Sequence, residues 1–254
     1  MPGCIFNAKV IHESAATLQS LSLDIQGEFD ALRFLYDENG VNICFPELET
    51  LLITNAANAS PSQAELSRFI HFPTLQSLEI LGQYQFFDDV LFRGNSHSLT
   101  YVNLTASMHL VDVCHACGVF GPDKRPNLRR VHIEYTTDEF DSLADEPSEF
   151  VNFVMNAAQS ATSLVVHNKC WEDDLPNAIA QEWPTNKLQN IDIRDAFIDL
   201  DELFGLIGSL PLICQLGISK IEIEDVYIEM TPPDLLDYMT DRSYPLSKTL
   251  QFLK

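Results

Sequence analysis

Phe72-Pro73-Thr74-Leu75-Gln76-Ser77-Leu78-Glu79-Ile80 holds in nine residues the pattern on which the rest of the chain is built. Apolar side chains stand at Leu75, Leu78 and Ile80, so that Leu78 and Ile80 alternate with polar Ser77 and Glu79. An alternation of period two is the mark of a strand with one buried face. Proline cannot donate to a central ladder, so Pro73 places the strand's beginning after it.

The phrase recurs. It reads Leu18-x-x-Leu21-x-Leu23, Leu48-x-x-Leu51-x-Ile53, Leu99-x-x-Val102-x-Leu104, Leu128-x-x-Val131-x-Ile133 and Leu188-x-x-Ile191-x-Ile193. Weaker copies are Ala161-x-x-Leu164-x-Val166, Ile213-x-x-Leu216-x-Ile218 and Ser247-x-x-Leu250-x-Phe252. Two more carry the same lead-in, Phe45-Pro46-Glu47-Leu48 and Arg125-Pro126-Asn127-Leu128. Successive first positions lie 30, 27, 24, 29, 33, 27, 25 and 34 residues apart. One copy arises easily by chance, but nine at a mean spacing of roughly 29 residues indicate a repeat at the long end of the leucine-rich range.

Helical patterns fill the intervals. Ser60-Pro61-Ser62-Gln63 sets a capping serine, a proline at the first helical position and a glutamine at the third, ahead of Ala64, Leu66, Phe69 and Ile70. A second segment runs from Ser107 through Met108, Leu110, Val111, Val113, Cys114 and Cys117 to Gly118 and Gly121. Phe150, Phe153, Val154 and Ala157 form a third apolar face. Asp199 and Asp201 lead into a fourth through Leu203, Phe204, Leu206 and Ile207, closed by Gly208 and Pro211. Alternation of strand and helix predicts an α/β leucine-rich-repeat horseshoe solenoid with an inner parallel sheet, outer helices and irregular repeats.

A lone unit of this kind cannot shelter both flanks of its strand from water, so such units stand only as a stack. The expectation is a single domain over residues 1–254, of about eight to nine repeats, with its bulge at 136–147. The last copy stops at Leu253-Lys254 without a polar cap, and an uncovered edge invites association. Incompleteness at both ends is therefore expected.

At these phrases, Phe72 to Ile80 and Ser14-Ala15-Ala16-Thr17-Leu18-Gln19-Ser20-Leu21 above all, the chain resembles the leucine-rich-repeat region of fungal F-box proteins. The likeness extends from about residue 5 to residue 254, with no F-box before the first repeat. It implies a horseshoe that selects substrates for a cullin-type ubiquitin ligase, docked to the ligase adaptor through an N-terminal segment missing here. A scaffold repeat protein with no ubiquitin link is the alternative. The position of the usual asparagine ladder holds Gln26, Ala56, Gln83, Ser107, Thr136, Lys169, Ala196 and Ile221.

Charge narrows the partners. Fifteen basic against 37 acidic side chains give a formal charge of -22 and a sequence pI near 4.4. Phosphates reward Lys/Arg clusters and are repelled by such a surface, which argues against nucleic acid and anionic membrane; solubility alone explains the acid, and a basic protein partner is the alternative. Residues 128–254 carry 23 of the acids and nine of the bases. No basic region followed by an apolar run opens the chain, and no stretch approaches the ~18 apolar residues of a membrane span. Six scattered cysteines suit a reducing compartment, the cytoplasm or nucleus. There Asn58-Ala59-Ser60 and Asn103-Leu104-Thr105 are chance sequons.

Residues between the buried strand positions face the concave side of a horseshoe. The chemically richest of them are Tyr101, Asn103, Arg130, His132, Glu134, His167, Asp192 and Arg194, proposed as the partner-binding face. Tyrosine and arginine are the types most often found at energetic hot spots. Their bland reading is a solvated sheet whose charges pair across strands. His132, His167 and Asp192 fall on consecutive strands and would suit a hydrolytic or metal site, for which only Ser163 is at hand as nucleophile. Cys114-His115-Ala116-Cys117 has zinc-ligand spacing but no second cysteine pair, so buried core thiols are expected. Trp171 and Trp183 flank acidic Glu172-Asp173-Asp174 and read as core. No phosphate-cradling glycine loop, nucleophile elbow or His-Glu-x-x-His run occurs. The expectation is a binding protein, with no catalytic residue, metal or cofactor.

Overall fold

A computed structural model describes residues 8–24, 43–54, 72–82, 97–106, 120–121, 123–135, 147–159, 161–168, 187–199, 203, 207–208, 210, 212–222 and 252–253. The chain divides into two compact units, Met1–Val119 with Asp123–Leu128, and Phe120–Pro122 with Arg129–Lys254.

The first unit contains helix α1 (Ala8–Ser14) and strands β1 (Ser20–Asp24), β2 (Thr50–Thr54), β3 (Ser77–Leu81) and β4 (Tyr101–Ala106). Each strand is hydrogen-bonded in parallel to the one before it. The register sets Leu21, Leu51, Leu78 and Val102 side by side, and likewise Leu23, Ile53, Ile80 and Leu104. All eight are buried. The apolar positions of four sequence phrases thus form two continuous buried rows. Gly82, at φ 139°, ends β3 in a conformation that glycine takes without steric cost.

Strand beginnings repeat as closely as strand interiors. Phe45 and Phe72 are wholly buried, and their rings lie 5.8 Å apart at 31°. The carbonyls of Phe45, Phe72 and Arg125 accept from the amides of Leu48, Leu75 and Leu128 at 3.4, 3.3 and 3.2 Å. Arg125 therefore occupies a phenylalanine slot, is buried there, and donates to the Lys124 carbonyl at 3.0 Å. In three turns the residue before the phrase's first leucine ties that turn to the preceding one. Thr74 Oγ1 donates to the carbonyls of Pro46 (2.8 Å) and Leu48 (3.1 Å), and Ser98 Oγ to those of Pro73 (3.0 Å) and Leu75 (2.9 Å). Asn127 Nδ2 donates to the His97 carbonyl at 2.6 Å. This side-chain ladder stands at the strand's start, not at the later positions where the sequence suggested looking for one. Of those later positions, Gln26, Ala56, Gln83, Ser107, Thr136 and Lys169 lie outside the described residues.

The second unit contains β5 (Arg130–Tyr135), helix α2 (Pro147–Ala158), β6 (Ser163–Asn168), β7 (Asn190–Asp199), β8 (Gln215–Glu222) and β9 (Phe252–Leu253). Its strands are again parallel and ordered as in sequence. Val131, Leu164, Ile191 and Leu216 make one buried row, and Ile133, Val166 and Ile193 a second. Ile218 continues the second row but is only half-buried. Between strands, one carbonyl repeatedly accepts two successive amides: Arg129 from Thr162 and Ser163, Thr162 from Gln189 and Asn190, Gln189 from Cys214 and Gln215. The first unit does the same at Gln19, Glu49 and Gln76.

Helix α2 is the third helix expected from sequence, with Pro147 as its first residue where φ is already fixed for a helix. It buries Phe153, Val154, Met155 and Ala157 and packs on β5, and the Phe153 ring meets Phe120 edge-on at 5.5 Å and 64°. Leu203 and Ile207, from the fourth helical pattern, are helical and buried. The patterns at 60–70 and 107–117 lie outside the described residues, as does the bulge expected at 136–147 except for Pro147, which belongs to helix α2. No helix among the described residues is long and apolar enough to cross a membrane.

One phrase was framed wrongly. Leu253, not Leu250, stands beside Leu216, and Phe252 beside Gln215. The ninth copy therefore starts at Leu250, three residues later than Ser247 suggested. The corrected frame, Leu250-x-x-Leu253, has leucine at both leading positions where the earlier one began on a serine.

Candidate functional site

Among the residues whose exposure is described, burial alternates along β1 to β7, so the residues between the buried rows form a face on each unit; in β8 Gly217 is buried beside Leu216. The eight candidates divide between these faces. Tyr101 and Asn103 belong to the first unit; Arg130, His132, Glu134, His167, Asp192 and Arg194 belong to the second.

On the first face the rows are Ser20, Thr50, Ser77, Tyr101, then Ser22, Leu52, Glu79, Asn103, then Asp24, Thr54, Leu81. Tyr101 and Asn103 are half-buried. Asn103 Nδ2 donates to Glu79 Oε2 at 3.1 Å, and Thr54 Oγ1 to Asp24 Oδ1 at 3.2 Å. These cross-strand pairs are those a parallel register makes between neighbours of one row. Apart from Tyr101 and two leucines the face is built of small hydroxyls, amides and acids.

On the second face the rows are Arg130, Ser163, Asn190, Gln215, then His132, Val165, Asp192, Gly217, then Glu134, His167, Arg194. Arg130 is exposed, while His132, Glu134, His167 and Asp192 are half-buried. His167 Nδ1 lies 3.9 Å from Glu134 Oε1, its neighbour in the same row. Arg194 curls back along its own strand, and Nε and Nη2 donate to Asp192 Oδ2 at 3.0 and 2.8 Å. His132 is held below its usual value of 6.5, first by burial and next by the Arg194 guanidinium, with Glu134 pulling the other way.

The register also says what does not meet. His132 and Asp192 share a row but stand two strands apart with Val165 between them, a Cα separation of about 9.6 Å at standard strand spacing. His167 belongs to the next row, between Glu134 and Arg194. Among the described residues, no three of the His, Cys, Asp and Glu side chains are grouped to hold a metal ion. Cys114, Cys117, Trp171 and Trp183 lie outside those residues. Cys44 is exposed and Cys214 half-buried, both as free thiols.

A depression of about 430 Å³ opens over β6, β7 and β8, lined by Ser163, Leu164, Val165, Asn190, Ile191, Asp192, Arg194, Gln215, Gly217 and Ile218. Two of the eight candidates, Asp192 and Arg194, line it. Its other lining residues are not among the eight, and Gly217 is the chief of them. Every other residue of its row carries a side chain, and a Cβ built on Gly217 would come within 2.8 Å of Asp192 Oδ1. A glycine interrupting a strand phrase often marks a place where something approaches the backbone closely, and that signal stood in Leu216-Gly217-Ile218. Immediately after Arg194 the ladder is irregular, β7 advancing four residues from Ile193 to Phe197 while β8 advances two from Ile218 to Lys220. Such bulges re-aim neighbouring side chains.

No family model matches the chain, and no curated protein matches it.

Proposed function

We propose that this chain is a leucine-rich-repeat recognition module that binds another protein through these faces of its strands. The observation that carries this reading is the register: on each unit, polar, aromatic and charged side chains are aligned in straight rows over a buried apolar floor. Row neighbours stand at a strand spacing of about 4.8 Å, a pitch that presents many groups at once to an extended or flat partner. Tyr101 ends the first row of its unit, Arg130 begins the first row of its own, and both are of the types that dominate binding energy. The finer part of the proposal rests on the resemblance noted above: the partner is a substrate, and the chain selects it for a cullin-type ubiquitin ligase in the cytoplasm or nucleus.

Affinity purification of the tagged chain from cell extract, with mass spectrometry, tests both parts. The wild type retains a discrete set of proteins, and the Tyr101→Ala/Arg130→Ala double variant loses the principal one by tenfold or more, about 1.4 kcal/mol. Retention of the same set by both chains would overturn the role of these faces. A cullin adaptor in the wild-type set supports the ubiquitin role; a substrate-like partner without any adaptor removes it and leaves a scaffold.

A further inference from the structure

We propose that the depression over β6, β7 and β8 is a receptor for a lysine side chain on an extended segment of the partner protein, and that Gly217 leaves the space in which the receiving Asp192 carboxylate stands. This inference rests on the reading of the strand faces as a protein-binding surface, and adds the chemistry of what one of them accepts.

Three features converge on a lysine. The first is an available acceptor. Arg194 Nε and Nη2 both donate to Asp192 Oδ2, whereas Oδ1 accepts no hydrogen bond among the described residues and leans over Gly217. One open carboxylate oxygen suits the point charge of an ammonium. A guanidinium makes its strong fork only to two oxygens, and Arg194 already occupies one. The second is the lining. Val165, half-buried and apolar, stands next to Asp192 in the same row and can cover the methylene stem of a lysine. Along one edge Ser163, Asn190 and Gln215 follow one another in a single row, offering hydroxyl and carboxamide groups that both donate and accept, as a peptide backbone does. The volume, about 430 Å³, is that of a site for one side chain and its backbone rather than for a folded element.

The third feature is charge at long range. Residues 128–254 carry 23 acids and nine bases, within a chain of net charge -22. That field concentrates cationic segments at the surface and repels acidic ones, even though the Asp192–Arg194 pair is locally neutral. Gly217 is the discriminating position. Any larger residue there would push Asp192 Oδ1 aside and fill the floor, yet the contact is with the far end of a flexible side chain, so the strand itself need not move.

Selection of a displayed random dodecapeptide library on the whole chain, with counter-selection on Gly217→Val, provides the test. Enriched peptides share a lysine. In fluorescence polarisation with the synthetic peptides, binding weakens at least tenfold in Gly217→Val and in Asp192→Asn. It weakens also when the lysine is replaced by arginine, and is lost when it is acetylated. Asp192→Asn keeps the shape of the site, so it decides the matter if thermal melting shows Gly217→Val to be misfolded. Peptides without a lysine, or binding that neither variant changes, overturn the lysine site. If such peptides are still lost from the Tyr101→Ala/Arg130→Ala variant, the strand faces keep their role; if they bind every variant equally, or none is enriched, both readings fall.

Discussion

His132 shows how one residue's chemistry is set by neighbours that the linear order separates. Burial and the Arg194 guanidinium hold its pKa below 6.5, against the opposing pull of Glu134 and Asp192 and with a further lowering from His167. The folded chain therefore takes up this proton at lower pH than the unfolded chain does. In the window below 6.5 the unfolded state binds more protons, so stability falls as pH drops and the loss levels off below the folded value. Thermal melting between about pH 7.5 and 5.5 should show a shallower decline in His132→Gln than in the wild type. Arg125 is a second case. It fills a slot that phenylalanine fills in two equivalent turns. Replacing a buried ion by an apolar residue of similar volume is commonly neutral or stabilising by about 1–4 kcal/mol. Arg125→Phe should therefore melt at or above the wild-type temperature and Arg125→Ala below it. An Arg125→Phe variant melting well below wild type would show that the guanidinium is required in that turn.

At the scale of the element, the repeat is held by its turns as much as by its strands. Thr74 and Ser98 each give one hydroxyl to two carbonyls of the preceding turn. Thr100 Oγ1 instead supplements backbone amides that already reach the Gln76 carbonyl. Thr74→Val keeps the shape, removes the hydroxyl and leaves part-buried carbonyls short of a donor, at a cost of about 1–3 kcal/mol. Thr100→Val, where the hydroxyl bond is exposed and its carbonyl keeps two backbone amides, should cost less than half of that in urea denaturation. Equal losses would mean that the hydroxyl ladder contributes nothing beyond local propensity. The strand phrases were readable because alternation and burial share one period, as Leu51, Leu78 and Val102 illustrate. The start-of-strand ladder was not, because Thr74, Ser98 and Asn127 differ in type and only the register shows that they do the same thing.

For the whole molecule the dominant quantity is charge. A net charge of -22 on 254 residues makes the compact state repel itself, and added salt screens that repulsion within a Debye length of about 10 Å at 0.1 M. Raising sodium chloride from about 10 to 200 mM should therefore raise the melting temperature while weakening any complex with a basic partner. A melting temperature that fell with salt would place the balance in attractive ion pairs instead. Local pairs such as Arg194–Asp192, whose side chains are 50% and 37% exposed, are too weak to reverse that sign.

The linear order of residues was enough to determine that strands recur, which of their positions are buried, and which side chains lie on the opposite face, because a two-residue period writes burial directly into hydropathy. It determined the corresponding sign of the surface field as well, since charge needs only counting. Tertiary structure alone decided the rows. Val165 keeps His132 from Asp192, Arg194 turns back on Asp192 and leaves one oxygen open, and Gly217 yields its space to that oxygen. The first and last of these depend on register between strands about 25 to 33 residues apart, where loop lengths vary and a shift of one residue would turn every side chain to the other face, and the second on a rotamer that the linear order does not write.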